Sequence, residues 1–453
     1  MDRCQAEFDL AFIFGLRKII DGSRLAKVRG PLTHGQRVSV FVMRRVTPNQ
    51  GRPAKDRWDA KKVEGNGHRP VAAGISSSRT AIIEALLENG LMSRSDLADS
   101  IGLSRSALTE LSRGLIEMGL VEETASSYDK QQKGRPSILL SLNAAHGYFV
   151  GVGLTEDPSL MVLTDCHGNS LAQQPLRRVK NPQAVAAAIE KGLPDLLRSG
   201  SISRKKVLGI GVALSGYVNH RQGVCLQSNM LEWHDVAFAG IVERVTGIPT
   251  YLDNDAKAVA TGQKLFGHAR EYKNFSIVML GKKIGSGNYI NGRLYRGHSE
   301  AGGEIGHCTV VPGGPRCDCG KQGCLDLFAT SSALLQRAAE LGLAVEHVAQ
   351  LESLAAKGVR PAMELLRQAG TLVGIVVANA IQINNPELVL FADVVGFGNG
   401  LFTTSTRQAI ENNILPHLIS TTSIEFRFVE EDFLARSAAS IAAHEFLIER
   451  ARD

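Results

Sequence analysis

The first regular pattern of apolar residues along the chain begins near Ser78 and has the spacing of a helix. From Ser78 to Asn89 they form a single stripe, and Gly90 follows as a helix stop. The segment Ser93-Arg94-Ser95-Asp96 has the pattern of a capping box with aspartate in its third position, and the helix that it opens ends at Gly102. Two consecutive helices are therefore predicted.

A third helix follows the turn Gly102-Leu103-Ser104, with Ser104 as its N-cap. Its apolar residues Leu108, Leu111, Leu115 and Met118 recur at steps of three, four and three. A strand that begins at Leu120-Val121-Glu122 has a predicted partner from Ser137 to Leu142. This order of elements predicts a winged helix-turn-helix domain over residues 75–142.

Strand and helix patterns alternate from residue 143 onward, which indicates an α/β body over residues 143–453. Strands are predicted at Tyr148 to Val152, Leu160 to Thr164, Val207 to Leu214, Ile277 to Leu280 and Leu388 to Phe391. Helices are predicted at Pro182 to Leu197, Asp235 to Thr246, Ser331 to Leu341, Met363 to Ile381 and Ala435 to Arg450.

The basic charge of the chain belongs to its first 74 residues. The net charge is +6 over 453 residues, but residues 1–74 hold 15 basic and 7 acidic side chains, whereas residues 75–453 hold 36 and 38. The first segment lacks sustained periodicity, so we predict a basic, disordered arm. It either contacts nucleic-acid phosphates or is an extension without a function.

The third helix has the layout of a recognition helix, whose N-terminal part enters the major groove of DNA. The predicted DNA-binding residues are Ser104, Arg105, Ser106, Thr109 and Arg113 on this helix, and Lys133 and Arg135 at the wing tip. Arg105 and Thr109 are the candidates for base contacts. Because residues 75–142 hold 7 basic and 9 acidic side chains, a domain for protein contacts or dimerisation is the alternative.

One histidine and three of the seven cysteines have the spacing of a metal site. They are His307, Cys317, Cys319 and Cys324, in the pattern His-x9-Cys-x-Cys-x4-Cys. One imidazole and three thiolates can close a tetrahedral Zn²⁺ site, and glycines between the last two cysteines permit the tight turns. With no open position, such a zinc ion is structural. The alternative is a group of buried free cysteines beside a core histidine.

The residues around this cluster carry a family resemblance. They read Gly303-Glu304-Ile305-Gly306-His307, then Cys317 to Cys324, then Leu325-Asp326, and the wing contains Gly134-Arg135-Pro136. This pattern resembles the ROK family of bacterial sugar-responsive repressors and sugar kinases. The resemblance implies an α/β, two-lobed actin-like (sugar-kinase-like) fold after the winged helix-turn-helix. It further implies that Glu304, His307 and Asp326 contact sugar hydroxyls, and that zinc orients His307. Asp326 replaces the usual glutamate, which bears on the choice of sugar.

A second family stretch, Asn254-Asp255-Ala256, implies further sugar contacts. In ROK kinases it supplies a sugar-binding asparagine and the aspartate that removes a proton from the attacking hydroxyl, a task that suits a carboxylate in a partly desolvated cleft. Asp255 therefore holds the family's base position, here predicted to be vestigial. The alternative for Asp255 is a helix cap. Asn229 matches another sugar-side stretch of the family.

Three stretches on the nucleotide side depart from the kinases of this family. Val152-Gly153-Leu154-Thr155-Glu156-Asp157 lacks the aspartate of the phosphate loop, and Gly281-Lys282-Lys283-Ile284-Gly285 has lysines where backbone must approach phosphate. Ala392-Asp393-Val394-Val395 replaces a glycine run. We therefore expect no enzyme activity. The alternative is an ATP-dependent sugar kinase that carries a DNA-binding module.

These patterns predict a transcriptional regulator of carbohydrate-utilisation genes, a repressor that a monosaccharide or sugar derivative releases from operator DNA. The family resemblance implies a homodimer or homotetramer. Because the remaining cysteines show no disulfide framework, a reducing cytoplasm is expected. The opening stretch Phe8 to Leu16 contains Asp9 and is too short for a membrane span, so neither membrane insertion nor an export signal is expected.

Overall fold

The computed structural model describes residues 75–125, 138–155, 158–177, 179–430 and 432–452, all of which belong to one compact unit. The arm predicted over residues 1–74 lies outside the described residues. So do Lys133 and Arg135 of the predicted wing, and Glu156 and Asp157 of the first nucleotide-side stretch.

The first described segment has the helices and the antiparallel sheet of a winged helix-turn-helix. Its elements are α1 (Ile75–Asn89), β1 (Met92–Ser93), α2 (Arg94–Ile101), α3 (Arg105–Glu117), β2 (Val121–Ala125) and β3 (Ile138–Leu142), with sheet order β1-β3-β2. The predicted N-caps form, because the side chain of Ser93 accepts the N–H of Asp96 and that of Ser104 accepts the N–H of Ala107. Strand β1 was not predicted, since two residues carry no periodic signal.

The first lobe is built on a five-stranded sheet with the order β11-β7-β4-β5-β6. In chain order its elements are β4 (Tyr148–Gly153), β5 (Ser159–Thr164), β6 (Ser170–Leu176), α4 (Pro182–Ser199), β7 (Val207–Leu214), β8 (Tyr217–Asn219), β9 (Val224–Ser228), β10 (Trp233–Val236), α5 (Phe238–Thr246) and β11 (Thr250–Asn254). The helix predicted from Asp235 begins only at Phe238. Asp235 has φ +50° and lies in β10, which pairs with β9.

The second lobe contains another five-stranded sheet, with the order β14-β13-β12-β15-β16. In chain order the remaining elements are α6 (Asp255–Phe266), β12 (Phe275–Leu280), β13 (Ile284–Ile290), β14 (Arg293–Tyr295), α7 (Asp326–Ala329), α8 (Ser331–Glu340), α9 (Val348–Ala356), α10 (Arg360–Asn384), β15 (Leu388–Asp393), α11 (Leu401–Asn413), α12 (Pro416–Ile419), β16 (Ser423–Phe428) and α13 (Phe433–Arg452). Strands β12, β15 and β16 are parallel.

Helix α13 returns to the first lobe and lies directly on its sheet. A Cβ on Gly151 would be 1.7 Å from the Ala435 carbonyl oxygen, and one on Gly211 would be 1.8 Å from that of Ala438. Glycine is therefore required in both strands. Farther along, Phe446 of α13 belongs to the same apolar cluster as residues of α1 and α3.

Helix α10 is long and apolar enough, by length and composition alone, to cross a membrane. Half of the most apolar 18-residue stretch of this helix is buried inside the protein. Leu366, Val373 and Val377 of the helix belong to the core of the second lobe. This is the pattern of a core helix.

Candidate functional site

Helix α6 begins at the junction of the lobes, where Asn254 ends strand β11 and Asp255 opens the helix. Asn254 is the N-cap. Its Oδ1 accepts the N–H groups of Ala256 (3.0 Å) and Lys257 (3.3 Å), and its Nδ2 donates to the Gly216 carbonyl (3.1 Å). The capping role that was the alternative for Asp255 thus falls mainly to Asn254.

Two carboxyl groups of this region have pKa values well above those of exposed side chains. Burial raises the pKa of Asp255 to about 6, against the hydrogen bond that its Oδ2 accepts from Thr155 Oγ1 (3.1 Å). Burial raises the pKa of Glu304 to about 7, opposed by Lys257 and reinforced by Asp255 and Asp326. Near neutral pH, Asp255 is therefore mostly ionised and accepts hydrogen bonds, whereas Glu304 is close to half protonated and can also donate one.

Asp326, the first residue of α7, is held against the backbone of the segment that carries Glu304 and His307. It is 5% exposed, accepts the N–H of Ile284 (3.1 Å) and lies 3.5 Å from Lys283 Nζ. A Cβ on Gly306 would be 2.3 Å from Asp326 Oδ1, so this position requires glycine.

A cleft of about 130 Å³ brings the predicted sugar contacts together. Its lining includes Asn229, Asn254, Asp255, Glu304, His307 and Asp326. Asn229 is exposed, and its Oδ1 accepts a hydrogen bond from Gln227 Nε2 (3.1 Å). Tyr217 and Gln227 also line the cleft, and no sequence pattern singled them out.

The four predicted metal ligands meet in one cluster. The ligand atoms of His307, Cys317, Cys319 and Cys324 all lie within 4.8 Å of one another. The Cys319 and Cys324 sulfurs are 3.6 Å apart, and His307 Nδ1 is 3.7 Å from Cys317 Sγ. Because Zn–S bonds of about 2.3 Å give tetrahedral S···S edges of about 3.7 Å, this donor set fits Zn²⁺.

Glycines shape the loop that holds these ligands. Gly320 (φ +89°) and Gly323 (φ +68°) have left-handed backbone angles, and a Cβ on Gly323 would be 1.7 Å from the Val311 carbonyl oxygen. The predicted tight turns are confirmed. His307 and Cys319 also line the cleft, so the cluster lies beside it.

No sequence pattern indicated the largely buried ion pair of Asp253, the residue before Asn254. Arg296 forms two hydrogen bonds with Asp253, Nη1–Oδ1 at 2.9 Å and Nη2–Oδ2 at 2.6 Å. Lys257 Nζ donates to the carbonyl of Glu300 (2.7 Å). These partners are about forty residues apart in the chain, and no local motif announces them.

Helix α3 presents the predicted DNA-binding residues to solvent and its apolar face to the domain core. The exposed residues are Ser104, Arg105, Ser106, Thr109 and Arg113. Leu108 and Leu115 are fully buried on the other side. Thr109 Oγ1 donates to the Arg105 carbonyl (2.7 Å), which leaves its oxygen free to accept.

Helix α6 connects the cleft with the DNA-binding domain. Asp255 opens the helix at the cleft, and about 14 Å along its axis Lys264 Nζ lies 3.3 Å from Glu88 Oε1 of α1. Arg270, just beyond α6, donates from Nε to the Glu88 carbonyl (3.0 Å). Both cations meet the C-terminal end of α1, where Arg270 satisfies a carbonyl group, Lys264 faces the Glu88 carboxylate, and both interact favourably with the helix dipole.

A second cavity, of about 320 Å³, adjoins the cleft, and Asp255 and Lys283 line both. Residues of the three stretches that the family resemblance assigned to the nucleotide, Thr155, Lys282 and Val395 among them, line this second cavity. Apolar residues form much of its wall: Met279, Val394, Val395, Phe428, Val429 and Leu434. At its edge, the carboxylate of Asp393 accepts the N–H groups of Val395 (3.2 Å), Gly396 (2.8 Å) and Gly398 (2.9 Å).

Comparison with known proteins matches two segments of the chain. The ROK family model matches residues 150–443, and a model of winged helix-turn-helix DNA-binding domains matches residues 75–122. A putative xylose repressor of Caldicellulosiruptor sp. (strain Rt8B.4) is 28% identical over 348 residues, which cover 74% of this chain and 87% of the relative. The N-acetylglucosamine repressor of Escherichia coli O6:H1 is 26% identical, with 74% and 84% covered.

A solved structure agrees with the fold. The crystal structure of a ROK family transcriptional regulator, a homologue of the E. coli MLC protein, superposes with a TM-score of 0.71 at 24% identity, over 83% of this chain and 98% of that chain. The predicted fold, a winged helix-turn-helix before a two-lobed sugar-kinase-like body, is confirmed. The chain belongs to the ROK family, in the branch whose members carry an N-terminal winged helix-turn-helix.

Proposed function

We propose that this protein is a sugar-responsive transcriptional regulator, a repressor of carbohydrate-utilisation genes. Helix α3 and the wing bind operator DNA, and a monosaccharide or sugar derivative in the cleft lowers operator affinity. The observation that carries the proposal is that one compact unit holds both an exposed recognition helix and a cleft of carboxyl and amide groups. Two relatives are named for different sugars, xylose and N-acetylglucosamine, so the choice of sugar calls for direct titration.

The proposed sugar contacts are Asn229, Asn254, Asp255, Glu304, His307 and Asp326. Hydroxyl groups need partners that accept and donate. The raised pKa of Glu304 lets this carboxyl group do both, whereas Asp255 is mostly ionised near neutral pH and accepts. Asn254 already uses its oxygen for the helix cap and one N–H for Gly216, so one amide N–H remains for a ligand. Asp326 is held by Ile284 and Lys283, which fixes its orientation.

We further propose that His307, Cys317, Cys319 and Cys324 hold a structural Zn²⁺ ion. The support is the donor set and its spacing, which match four-coordinate zinc. Bound zinc would fix the ring of His307, which lines the cleft, and so preorganise one sugar contact. The protein acts in the cytoplasm, where thiols stay reduced and free to bind metal.

The stretches that the family resemblance assigned to the nucleotide favour a sensor rather than an enzyme. The family resemblance implies a glycine run near the adenosine site after strand β15. Here Asp393 instead binds three backbone N–H groups of the following turn, and its carboxylate would repel an anionic nucleotide. A sugar kinase remains the second candidate because Asp255, with a pKa of about 6, has the character of a general base. A coupled ATP-turnover assay with several sugars decides between them, since a sensor shows no sugar-dependent turnover.

The proposed function is tested by titrating operator DNA with the protein, with and without D-xylose, D-glucose and N-acetyl-D-glucosamine. A thermal-shift screen first identifies which of these sugars binds. The binding sugar should weaken operator affinity by about 5- to 150-fold, the usual range of allosteric coupling. An operator affinity that no sugar changes would contradict direct sugar sensing.

A further inference from the structure

The loop from Arg296 to Glu304 has no regular secondary structure, yet it brings a carboxyl group into the cleft. Three of its nine residues are glycine. Backbone φ angles are positive at Gly297 (+74°), Glu300 (+64°) and Gly303 (+96°). A segment of this composition loses much conformational freedom when it is ordered, so contacts with other elements must fix the place of Glu304.

Arg296, at the start of this loop, is paired across the two lobes. Its partner Asp253 lies in β11 of the first-lobe sheet, whereas Arg296 follows β14 of the second-lobe sheet. The side chain of Asp253 is 1% exposed and that of Arg296 is 22% exposed. Two parallel hydrogen bonds fix the plane of the guanidinium group as well as its distance. The pair therefore fixes one lobe relative to the other beside the cleft.

Contacts within the loop connect Arg296 with its far end. Arg296 Nη1 lies 3.3 Å from Glu300 Oε2, and the Arg296 carbonyl accepts the N–H of Gly302 (2.9 Å). Lys257 of α6 holds the Glu300 carbonyl at 2.7 Å. Nearer Glu304, the Gly303 carbonyl accepts the Ser286 N–H (2.8 Å) and Ser286 Oγ (3.1 Å). Arg296 therefore fixes the first part of the loop, and the Ser286 contacts fix its end beside Glu304.

We propose that Arg296 is a positioning residue for sugar binding. Paired with Asp253, it holds the Glu304 loop at a fixed separation from Asn254 and Asp255, which follow Asp253 directly in the chain. This inference rests on the proposed function, because it assumes a sugar in the cleft. An ion pair this buried is a weak source of net stability, since both charges lose hydration, and that favours a role in site geometry.

The test compares sugar binding by the full-length, zinc-loaded protein and its variants. D-xylose, D-glucose and N-acetyl-D-glucosamine are each titrated by calorimetry, with melting temperature and zinc content measured in parallel. Arg296→Gln should weaken binding of the sugar that binds wild type by roughly tenfold or more. Arg296→Lys, which keeps the charge but not the bidentate geometry, should recover part of the affinity. Arg293→Gln, at an exposed position in β14, is the matched control and should bind as wild type does.

A double variant separates positioning from stability. Asp253→Asn with Arg296→Gln removes both members of the bidentate pair together, so its melting temperature should lie closer to that of wild type than that of Arg296→Gln does. Its sugar affinity should stay low, because amides do not reproduce the bidentate pair. Full recovery of sugar affinity in the double variant, or unchanged affinity in Arg296→Gln, would overturn the positioning role alone. If none of the three sugars binds wild type, the proposed function and this inference both fail.

Discussion

Asp255 lowers the stability of the folded protein because its carboxyl group is buried beside the cleft. Its pKa is about 6 in the folded protein rather than 3.8, because the side chain is only 7% exposed. Between these pH values the folded protein keeps a proton that the unfolded chain has released, so stability falls as the pH rises through about 6. Above both values the buried charge costs about 3 kcal/mol, since each tenfold change in proton affinity corresponds to about 1.4 kcal/mol.

We expect Asp255→Asn to raise the melting temperature more at pH 8 than at pH 5, because the cost that it removes is larger when Asp255 is ionised. The same variant should bind sugar at least about tenfold more weakly, through loss of a charge-assisted hydrogen bond, and should bind operator normally. Thermal melts at both pH values and sugar titrations measure these effects. Asp195→Asn, which changes an exposed carboxylate of α4, is the control. Equal stabilisation at pH 5 and pH 8 would refute this account of Asp255.

A single substitution at Arg105 tests the proposed DNA-binding surface. Arg105→Ala should weaken specific operator binding by about 1–3 kcal/mol if the side chain reads a base edge. Arg198→Ala, at an exposed site on α4, should have no effect. Electrophoretic titration against operator and random DNA separates the possibilities. An equal loss on both DNAs would make Arg105 a phosphate contact instead.

Helix α6 belongs to two sites at once, because Asn254 and Asp255 lie at its first turn and Lys264 lies in its last. A ligand that moves the first turn also moves the Lys264–Glu88 contact with α1, since a helix transmits displacement along its axis. Coupling requires only that sugar and DNA favour different positions of this element.

Glu88→Gln should therefore reduce the effect of sugar on operator affinity. The substitution removes the charge that faces Lys264 but keeps the Glu88 carbonyl that Arg270 binds. Sugar affinity without DNA should stay close to that of wild type, and because coupling is reciprocal, DNA should also change sugar affinity less. Operator titrations with and without sugar measure the coupling, with Glu84→Gln one turn earlier as the control. Unchanged coupling in Glu88→Gln would exclude this contact as the route.

The zinc loop offers a second prediction at the scale of an element. Purified protein should hold about one zinc per chain, and Cys319→Ser should lower both the zinc content and the sugar affinity, because Cys319 completes the tetrahedron beside His307. Cys308→Ser is the matched control, since Cys308 is exposed and lies outside the cluster. Elemental analysis and calorimetry are the measurements. Full zinc occupancy in Cys319→Ser would remove this residue from the ligand set.

Local signals explain which elements were predictable. Helices α2 and α3 are capped by Ser93 and Ser104 within three residues of their start, so the sequence contains the whole signal. The start of α5 was misplaced because β10 exists only through its pairing with β9, and such pairing leaves no periodic trace in a strand of four residues. The same reason hid the Asp253–Arg296 pair, whose partners are 43 residues apart. The clustering of His307, Cys317, Cys319 and Cys324 was predictable because their spacing in the sequence is typical of a metal site.

At the scale of the whole molecule, the cleft lies where two sheets approach each other. Strand β11 carries Asn254 from the first lobe, and the loop after β14 carries Glu304 from the second. A ligand that binds residues of both lobes stabilises the arrangement in which they are closest. A sensor that responds through relative motion of its lobes needs no phosphoryl transfer. The hydrogen bonds from Asp393 to three backbone N–H groups agree with such a role.

We expect the protein to bind DNA as a symmetric oligomer on an inverted repeat. Two winged helices related by a two-fold axis reach the same face of the duplex only when half-sites lie about one helical turn, or a multiple of it, apart. Light scattering after size exclusion gives the oligomeric state, and footprinting gives the spacing. Inserting about half a helical turn between half-sites should abolish tight binding. A monomer that protects a single half-site with full affinity would contradict this arrangement.

Helix α13 packs on Gly151 and Gly211 of the first lobe and also shares an apolar cluster with α1 and α3. It follows every other described element in the chain, although the domain that it supports is the first one described. During translation, the apolar face of the DNA-binding domain that packs against α13 therefore stays uncovered until residues 143–453 have been synthesised. A chain released before α13 has been synthesised would lack the helix on which α1 packs. We expect such a fragment to bind operator DNA poorly, so that DNA binding would require the body that carries the cleft.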